Sequence, residues 1–144
     1  MFDSFYGKTI SMGGSILGFA ELSNFVLTPV DESDPNPSFA YLQSEEDPEI
    51  GFLVTDPFRF VSSFEIGLSS QEEEALGVED LENVAVLAIV TIAEPFVRST
   101  LNLLAPLLIN TKNLKGKQVV LPPESPYSTK TLFLAGSATA EGGA

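Results

Sequence analysis

The sequence predicts an all-β domain, a barrel or sandwich of short antiparallel strands carrying one or two short helices. Three observations carry that prediction. Short runs rich in β-branched and aromatic residues recur at roughly ten-residue spacing, separated by Pro, Asp and Gly turns. One of them, Val84–Ile92 (VAVLAIVTI), is apolar on both faces, the pattern of a central strand covered on both sides. One stretch, Ser69–Leu76, carries a helix-start signature.

Taken in order, Asn24–Val30 (NFVLTPV) forms the first strand and ends at the acidic turn DESDPNP. Ser38–Ser44 (SFAYLQS) alternates, with Phe39, Tyr41 and Gln43 on one face and Ala40 and Leu42 on the other. EEDPE (Glu45–Glu49) breaks regular structure at Asp-Pro, and Ile50–Thr55 (IGFLVT) returns as the second arm of a hairpin. Asp56–Pro57 then starts a helical turn, followed by a short strand within Phe58–Ile66. In SSQEEEAL, Ser69 is a good N-cap and the glutamates of the first turn favour the positive end of the helix dipole, while Gly77 suits the C-terminal cap. Leu107–Asn110 (LLIN) and Gln118–Leu121 (QVVL) are two further strands, joined by the basic turn TKNLKGK. Met12–Gly13–Gly14–Ser15 is a turn. From Leu134 the chain is small and polar without periodicity, so residues 1–133 form the expected single domain and 134–144 an expected disordered tail.

The composition narrows the function. Hydrophobic residues make up 44% of 144 residues, too many for disorder throughout, and a chain of this length buries roughly 68–70% of its unfolded surface. There is no His and no Cys. That removes the commonest general base near neutral pH, thiolate chemistry, disulfides and His/Cys zinc sites. The glycine-rich nucleotide motifs are missing as well, so neither a cofactor nor a metal is expected. The longest apolar run, Val84–Val90, has seven residues, against about 20 for a membrane helix. MFDSFYGKTI lacks a basic segment followed by an apolar one, so a cytoplasmic location is expected.

Charge is the most informative quantity. Residues 1–95 hold 18 acids against two bases, a net of −16, whereas residues 96–144 hold two acids against five bases, a net of +3. Such a field repels phosphate backbones, which argues against direct nucleic-acid binding, and it steers a basic partner. The clusters Glu45, Glu46, Asp47, Glu49 and Asp31, Glu32, Asp34 lack the ligand spacing of a calcium loop. Solvated turn acids are the plain alternative for both clusters, and a spatially paired carboxylate hydrolase or a sugar-binding β-barrel is the competing functional class. The candidate partner-binding residues are Asp56, Phe58, Asn102 and Asn110, with Glu45, Glu46 and Asp47 as electrostatic contributors. Asp56-Pro57-Phe58 sets an aromatic in a surface loop, where core packing of the ring is the plain alternative. The two asparagines interrupt the apolar STLNLLAPLLIN, and a buried amide must find partners either in another chain or in a neighbouring loop.

FAYLQSEEDPEIGFLVTDPF, VAVLAIVTI and TLNLLAPLLINTKNLKGKQVVL, in this order and at these intervals, resemble the flagellar assembly factor (FliW) family over about Phe5–Tyr127. The LQSxxDP and NLLAPxxIN runs are the specific parts. One departure is Ser15-Ile16-Leu17-Gly18-Phe19, where relatives tend to carry Gly-Ile-Pro-Gly-Phe. The resemblance implies a compact β-barrel-like fold without catalysis. It implies two protein partners: the carbon storage regulator CsrA, a small RNA-binding translational repressor, and flagellin, which competes with it. Such a factor couples flagellin level to flagellin translation.

Overall fold

The computed structural model describes residues 6–31, 33, 38–61, 64, 68–95, 98–122, 125 and 127–132. The tail expected from residue 134 lies outside them, as do residues 62–63 and 65–67, on which the short strand before Ile66 was expected. Among the described residues nine strands form one sheet: β1 (Thr9–Ser11), β2 (Asn24–Pro29), β3 (Phe39–Ser44), β4 (Gly51–Thr55), β5 (Val84–Thr91), β6 (Thr100–Leu101), β7 (Leu107–Asn110), β8 (Gly116–Gln118) and β9 (Thr131–Leu132). Strands β1 to β5 follow one another as antiparallel neighbours. The β3–β4 hairpin pairs Phe39 with Thr55 and Gln43 with Gly51.

β5 is the hinge of the architecture. Its ladder is shared among β7 (Val84 to Leu87), β4 (Ala88 and Ile89) and β6 (Val90 and Thr91). Its side chains alternate between two cores. Ala85 and Leu87 join Ile10, Phe25, Leu27, Ala40, Leu42 and Val54 inside the curled sheet. Val86, Ala88 and Val90 face Val61, Phe64, Leu76, Leu101 and Leu121 in a second, outer core. The helix α1 (Ser70–Leu76) caps that outer core through Leu76.

The helix begins where the sequence places it. Ser69 Oγ accepts from the Glu72 amide at 3.1 Å, and the Glu72 carboxylate accepts from the Ser69 amide at 3.0 Å. This reciprocal pair satisfies two amides that the helix itself leaves unbonded. Gly77, at φ +68°, ends it in the left-handed conformation that glycine adopts without a Cβ penalty.

The antiparallel all-β class holds. The barrel-like closure is incomplete, because the sheet is open between β1 and β8. A single isolated bridge joins their ends, Ser11 with Lys115, and it runs parallel. The rest of the seam is sealed by side chains. Ser15 Oγ accepts from the Gln118 amide (3.1 Å), and Gln118 Oε1 accepts from the Leu17 amide (2.7 Å). The reason is local: at Gly13 and Gly14, with φ +60° and +71°, the chain leaves the extended conformation and cannot continue a ladder along β8. Met12 fills the seam from inside. A Cβ on Gly116 would stand 2.5 Å from Met12 Sδ and 3.2 Å from the Leu108 carbonyl oxygen.

Two further differences from the sequence reading have the same kind of cause. The last long strand forms at Gly116–Gln118 instead of Gln118–Leu121. Val119 and Leu121 still donate to the carbonyls of Pro106 and Leu104, but these belong to a loop and not to a ladder. β1, β6 and β9 span only two or three residues, too short for alternation to register.

Gly116→Ala is expected to lower stability by about 1–3 kcal/mol through overpacking. Urea or thermal unfolding measures it. In a double-mutant cycle with Met12→Ala, the loss from the second substitution should be smaller in the Gly116→Ala background than in the native one.

Candidate functional site

The NLLAP run sits in a strand that is interrupted. From Leu101 to Leu107 the chain advances six residues while β5 advances three, from Val90 back to Leu87. The surplus is extruded as the loop Asn102–Pro106. Its backbone polar groups need partners, and Asn102 supplies one: its Oδ1 accepts from the Ala105 amide at 3.0 Å. The Asn102 amide itself donates to the Ile89 carbonyl, and the amides of Leu103 and Leu104 donate to the Ser128 carbonyl. Gln118 Nε2 donates to the Ala105 carbonyl at 3.0 Å. One amide side chain, 8% exposed, thus ties this loop to the turn carrying Leu17.

Asn110 ends β7 and is 3% exposed. Its Nδ2 donates to the carbonyls of Leu76 (2.9 Å) and Gly77 (3.1 Å), and its Oδ1 accepts from the Lys112 amide (2.9 Å). Asn113 Nδ2 also donates to the Leu76 carbonyl. Two asparagines therefore satisfy the carbonyls that the last turn of α1 leaves open, and they pin the helix to the sheet. The Asn110 side-chain amide is used within the chain at both ends, and Asn102 uses its Oδ1 there, so both residues shape the surface around them.

Asp56 caps the short helical turn Pro57–Arg59, with its carboxylate accepting from the Phe58 amide at 3.0 Å. The Phe58 ring is 44% exposed. It packs 5.6 Å from the Phe64 ring, which meets Tyr127 edge-on at 4.7 Å. Phe58 is thus the outer member of an aromatic column that runs into the second core.

The acidic turn stands at the other end of the same hairpin. Phe39 pairs with Thr55 next to Asp56, while Gln43 pairs with Gly51 next to the turn. Asp56 and Phe58 therefore stand apart from Glu45, Glu46 and Asp47 by the length of the strands, roughly 17 Å at about 3.4 Å per residue, while Asn102 and Asn110 lie along β5. The turn is rigidly built. Ser44 Oγ accepts from the amides of Glu46 and Asp47, and Gln43 Nε2 donates to the carbonyls of Pro48 and Ile50. Glu46 Oε1 accepts from the Ser23 amide at 2.6 Å, and Glu45 accepts from the Thr9 hydroxyl at 3.1 Å. Asp47 Oδ1 accepts from the Glu49 amide. These carboxylates are held in place at the protein surface by the bonds they accept.

Of the second cluster, Asp31 is described. Its carboxyl is held below the usual carboxylate range, first by the Ser33 hydroxyl (2.6 Å) and then by the Ser33 amide (3.0 Å). A surface cleft of about 470 Å³ lies beyond the end of α1, with Glu79, Asp80, Asn83, Asn110 and Lys112 on its walls. Among the described residues, no group of three or more His, Cys, Asp or Glu is placed to hold a metal ion, and no helix is long and apolar enough to cross a membrane. Gln43, Ser44 and Gln118 were not singled out from sequence. The available signals were a polar residue at the inward position that ends β3 and a glutamine opening an apolar run.

A family model described as FliW protein matches residues 6–133. The chain is 40% identical to the flagellar assembly factor FliW of Bacillus velezensis over 131 residues, covering 91% of this chain and 89% of that protein. It is 43% identical to the flagellar assembly factor FliW of Bacillus subtilis over 123 residues, covering 85% and 83%. A solved crystal structure of the flagellar assembly factor FliW superposes with a TM-score of 0.79 at 34% identity, covering 87% of this chain and 84% of that one.

Asn110→Ala is expected to cost about 1–3 kcal/mol, because it removes a buried amide's bonds to the Leu76 and Gly77 carbonyls and to the Lys112 amide; chemical denaturation measures it. Ser33→Ala should raise the titration midpoint of Asp31, read by NMR. The sign follows from the depressed native value: the stabilisation from Asp31 is present above its unfolded pKa and is lost as pH falls through the lower native one.

Proposed function

The chain belongs to the FliW family of flagellar assembly factors, and on that premise we propose that it acts in the cytoplasm without catalysis, by sequestering the translational repressor CsrA and by binding flagellin. Flagellin awaiting export occupies the factor and leaves the repressor free. Export releases the factor, which then withdraws the repressor from flagellin messages. The two binding events oppose each other by linkage, whether their footprints overlap or two shapes compete.

The observation that supports this best is the fixed acidic turn Glu45–Glu49. The carboxylates of Glu45, Glu46 and Asp47 each accept a hydrogen bond from the chain, so they present charge from a preorganised surface. An RNA-binding regulator is basic where it meets phosphate. A rigid acidic surface accelerates encounter with such a protein and disfavours RNA nearby. Preorganisation matters because little side-chain entropy remains to be lost on binding. Asp56 and Phe58 contribute a second contact region at the far end of the hairpin. Asn102 and Asn110 contribute by holding the extruded loop and the helix end.

Mixing the chain with a purified CsrA homologue should give a stable complex on size exclusion that weakens with salt. Absence of co-elution at low salt would sink the reading for that partner. The triple variant E45Q/E46Q/D47N keeps one acceptor oxygen at each position and removes three charges. Its association rate should fall, with a shallower salt dependence in stopped-flow or biolayer measurements; an unchanged rate and slope would reduce the cluster to a solvated turn.

A further inference from the structure

The outer face of the β1–β4 sheet has an unusual surface chemistry for so acidic a chain. The register puts Ile10, Phe25, Leu27, Ala40, Leu42 and Val54 inward, in the first core. Alternation then turns Thr9, Val26, Thr28, Tyr41, Gln43 and Leu53 to the other face, where Leu53 packs against the second core and borders the open part of the face. None of these six is charged, although the chain has 20 acids. Cross-strand rows on this face are Thr9–Val26–Gln43 and Thr28–Tyr41–Leu53. Tyr41 is 44% exposed at the centre, and Val30, just past the end of β2, is 47% exposed. A solvated face of an antiparallel sheet ordinarily carries charges among its threonines, which also protect it from pairing or stacking with other chains.

The charges stand at the ends of the face. Glu45 lies beyond Gln43, and its carboxylate reaches back to Thr9. Glu46 and Asp47 follow it in the turn. Asp31 stands at the opposite end, past Val30, its carboxylate accepting from the Ser33 hydroxyl and amide. An uncharged centre with a large amphipathic ring and a charged rim is the anatomy of a protein-binding patch. The acids Asp31, Glu45, Glu46 and Asp47 outnumber the two bases beside the face, Lys8 before Thr9 and Arg59, whose guanidinium reaches Ser38, and a predominantly acidic rim selects a basic partner.

We propose that this face, centred on Tyr41, docks a protein that presents an apolar patch bordered by lysine and arginine side chains. The proposal deepens the reading above and rests on it, since the basic regulator is the partner that fits. Tyr41 packs on the partner's apolar patch. Glu45 and Asp31 meet the basic border at the two ends, which sets the orientation. Thr28 and Val26 supply flat contact between them.

The test uses the full chain and a purified CsrA homologue, with affinity measured by isothermal titration at one low salt concentration. Tyr41→Ala and Thr28→Lys are both exposed or half-exposed substitutions off the inner core, and thermal melts check that each remains folded. Tyr41→Ala should weaken binding by at least about 10-fold, as loss of a central tyrosine does. Thr28→Lys, which sets a like charge against the basic border, should weaken it by at least as much. Lys117→Gln, on β8, should leave the affinity unchanged. If the native chain binds and both variants match it, this surface is wrong and the partner reading stands. If the native chain does not bind, the partner reading fails and this proposal with it. If the variants instead abolish self-association while regulator binding is unchanged, the face belongs to a second copy of the chain and the proposal is overturned.

Discussion

A strand that is apolar on both faces must be covered on both sides, and β5 imposes that requirement on everything around it. Hydrogen bonding along its edges recruits β4, β6 and β7. Its inward side chains complete the core that β1 to β4 curl around. Its outward side chains would stand in water without a second layer, and α1, Phe64 and the segment around Leu121 provide it. Burying one Val or Leu side chain is worth about 1.5–3 kcal/mol, so leaving one face of β5 wet would forfeit a large part of a typical domain's stability. The two-core arrangement follows from that single constraint.

The same constraint explains where the polar side chains went. β5 has to be paired along its length by a strand that is also interrupted, and the interruption strands backbone amides and carbonyls in a buried region. Asn102 and Gln118 satisfy them from opposite sides of the loop, through Ala105. Asn110 does the equivalent at the end of α1. An apolar replacement of the same size would keep the packing and lose the satisfaction, which inside a protein costs more than the hydrogen bond contributes. These amides specify the fold, and the exposed surface beside them inherits its shape.

Much of this was legible in the residues. The β3–β4 hairpin, the two-faced β5 and the capped helix each carry a local signal: alternation, a long apolar run, and Ser69 with Glu72. What escaped is nonlocal. Pattern alone does not show that β1 and β8 meet at a seam, because the contact depends on Gly116 leaving room for Met12 and on a glutamine reaching a turn about 100 residues away. β6 and β9 are two-residue pairings created by their neighbours. For the candidate site the legibility was uneven. The acidic turn was visible as charge, yet the ties from Ser44 and Ser23 that make it rigid are tertiary. The asparagines stood out as polar residues in an apolar run, and the bonds of Asn110 and of the Asn102 side-chain carbonyl oxygen lie within the chain.

The acids serve two purposes with one placement. The strand faces of a small sheet must accommodate β-branched and aromatic residues to pair and pack, which pushes charge into turns and caps. Turn acids then border each face. For a chain with an uncharged, partly apolar outer sheet face, that border supplies the repulsion that keeps identical copies from stacking, at a net charge of −13. Under the docking proposal the same border attracts a partner of opposite sign. Selectivity between self and partner therefore needs no additional device: like-charged rims oppose one pairing and favour the other.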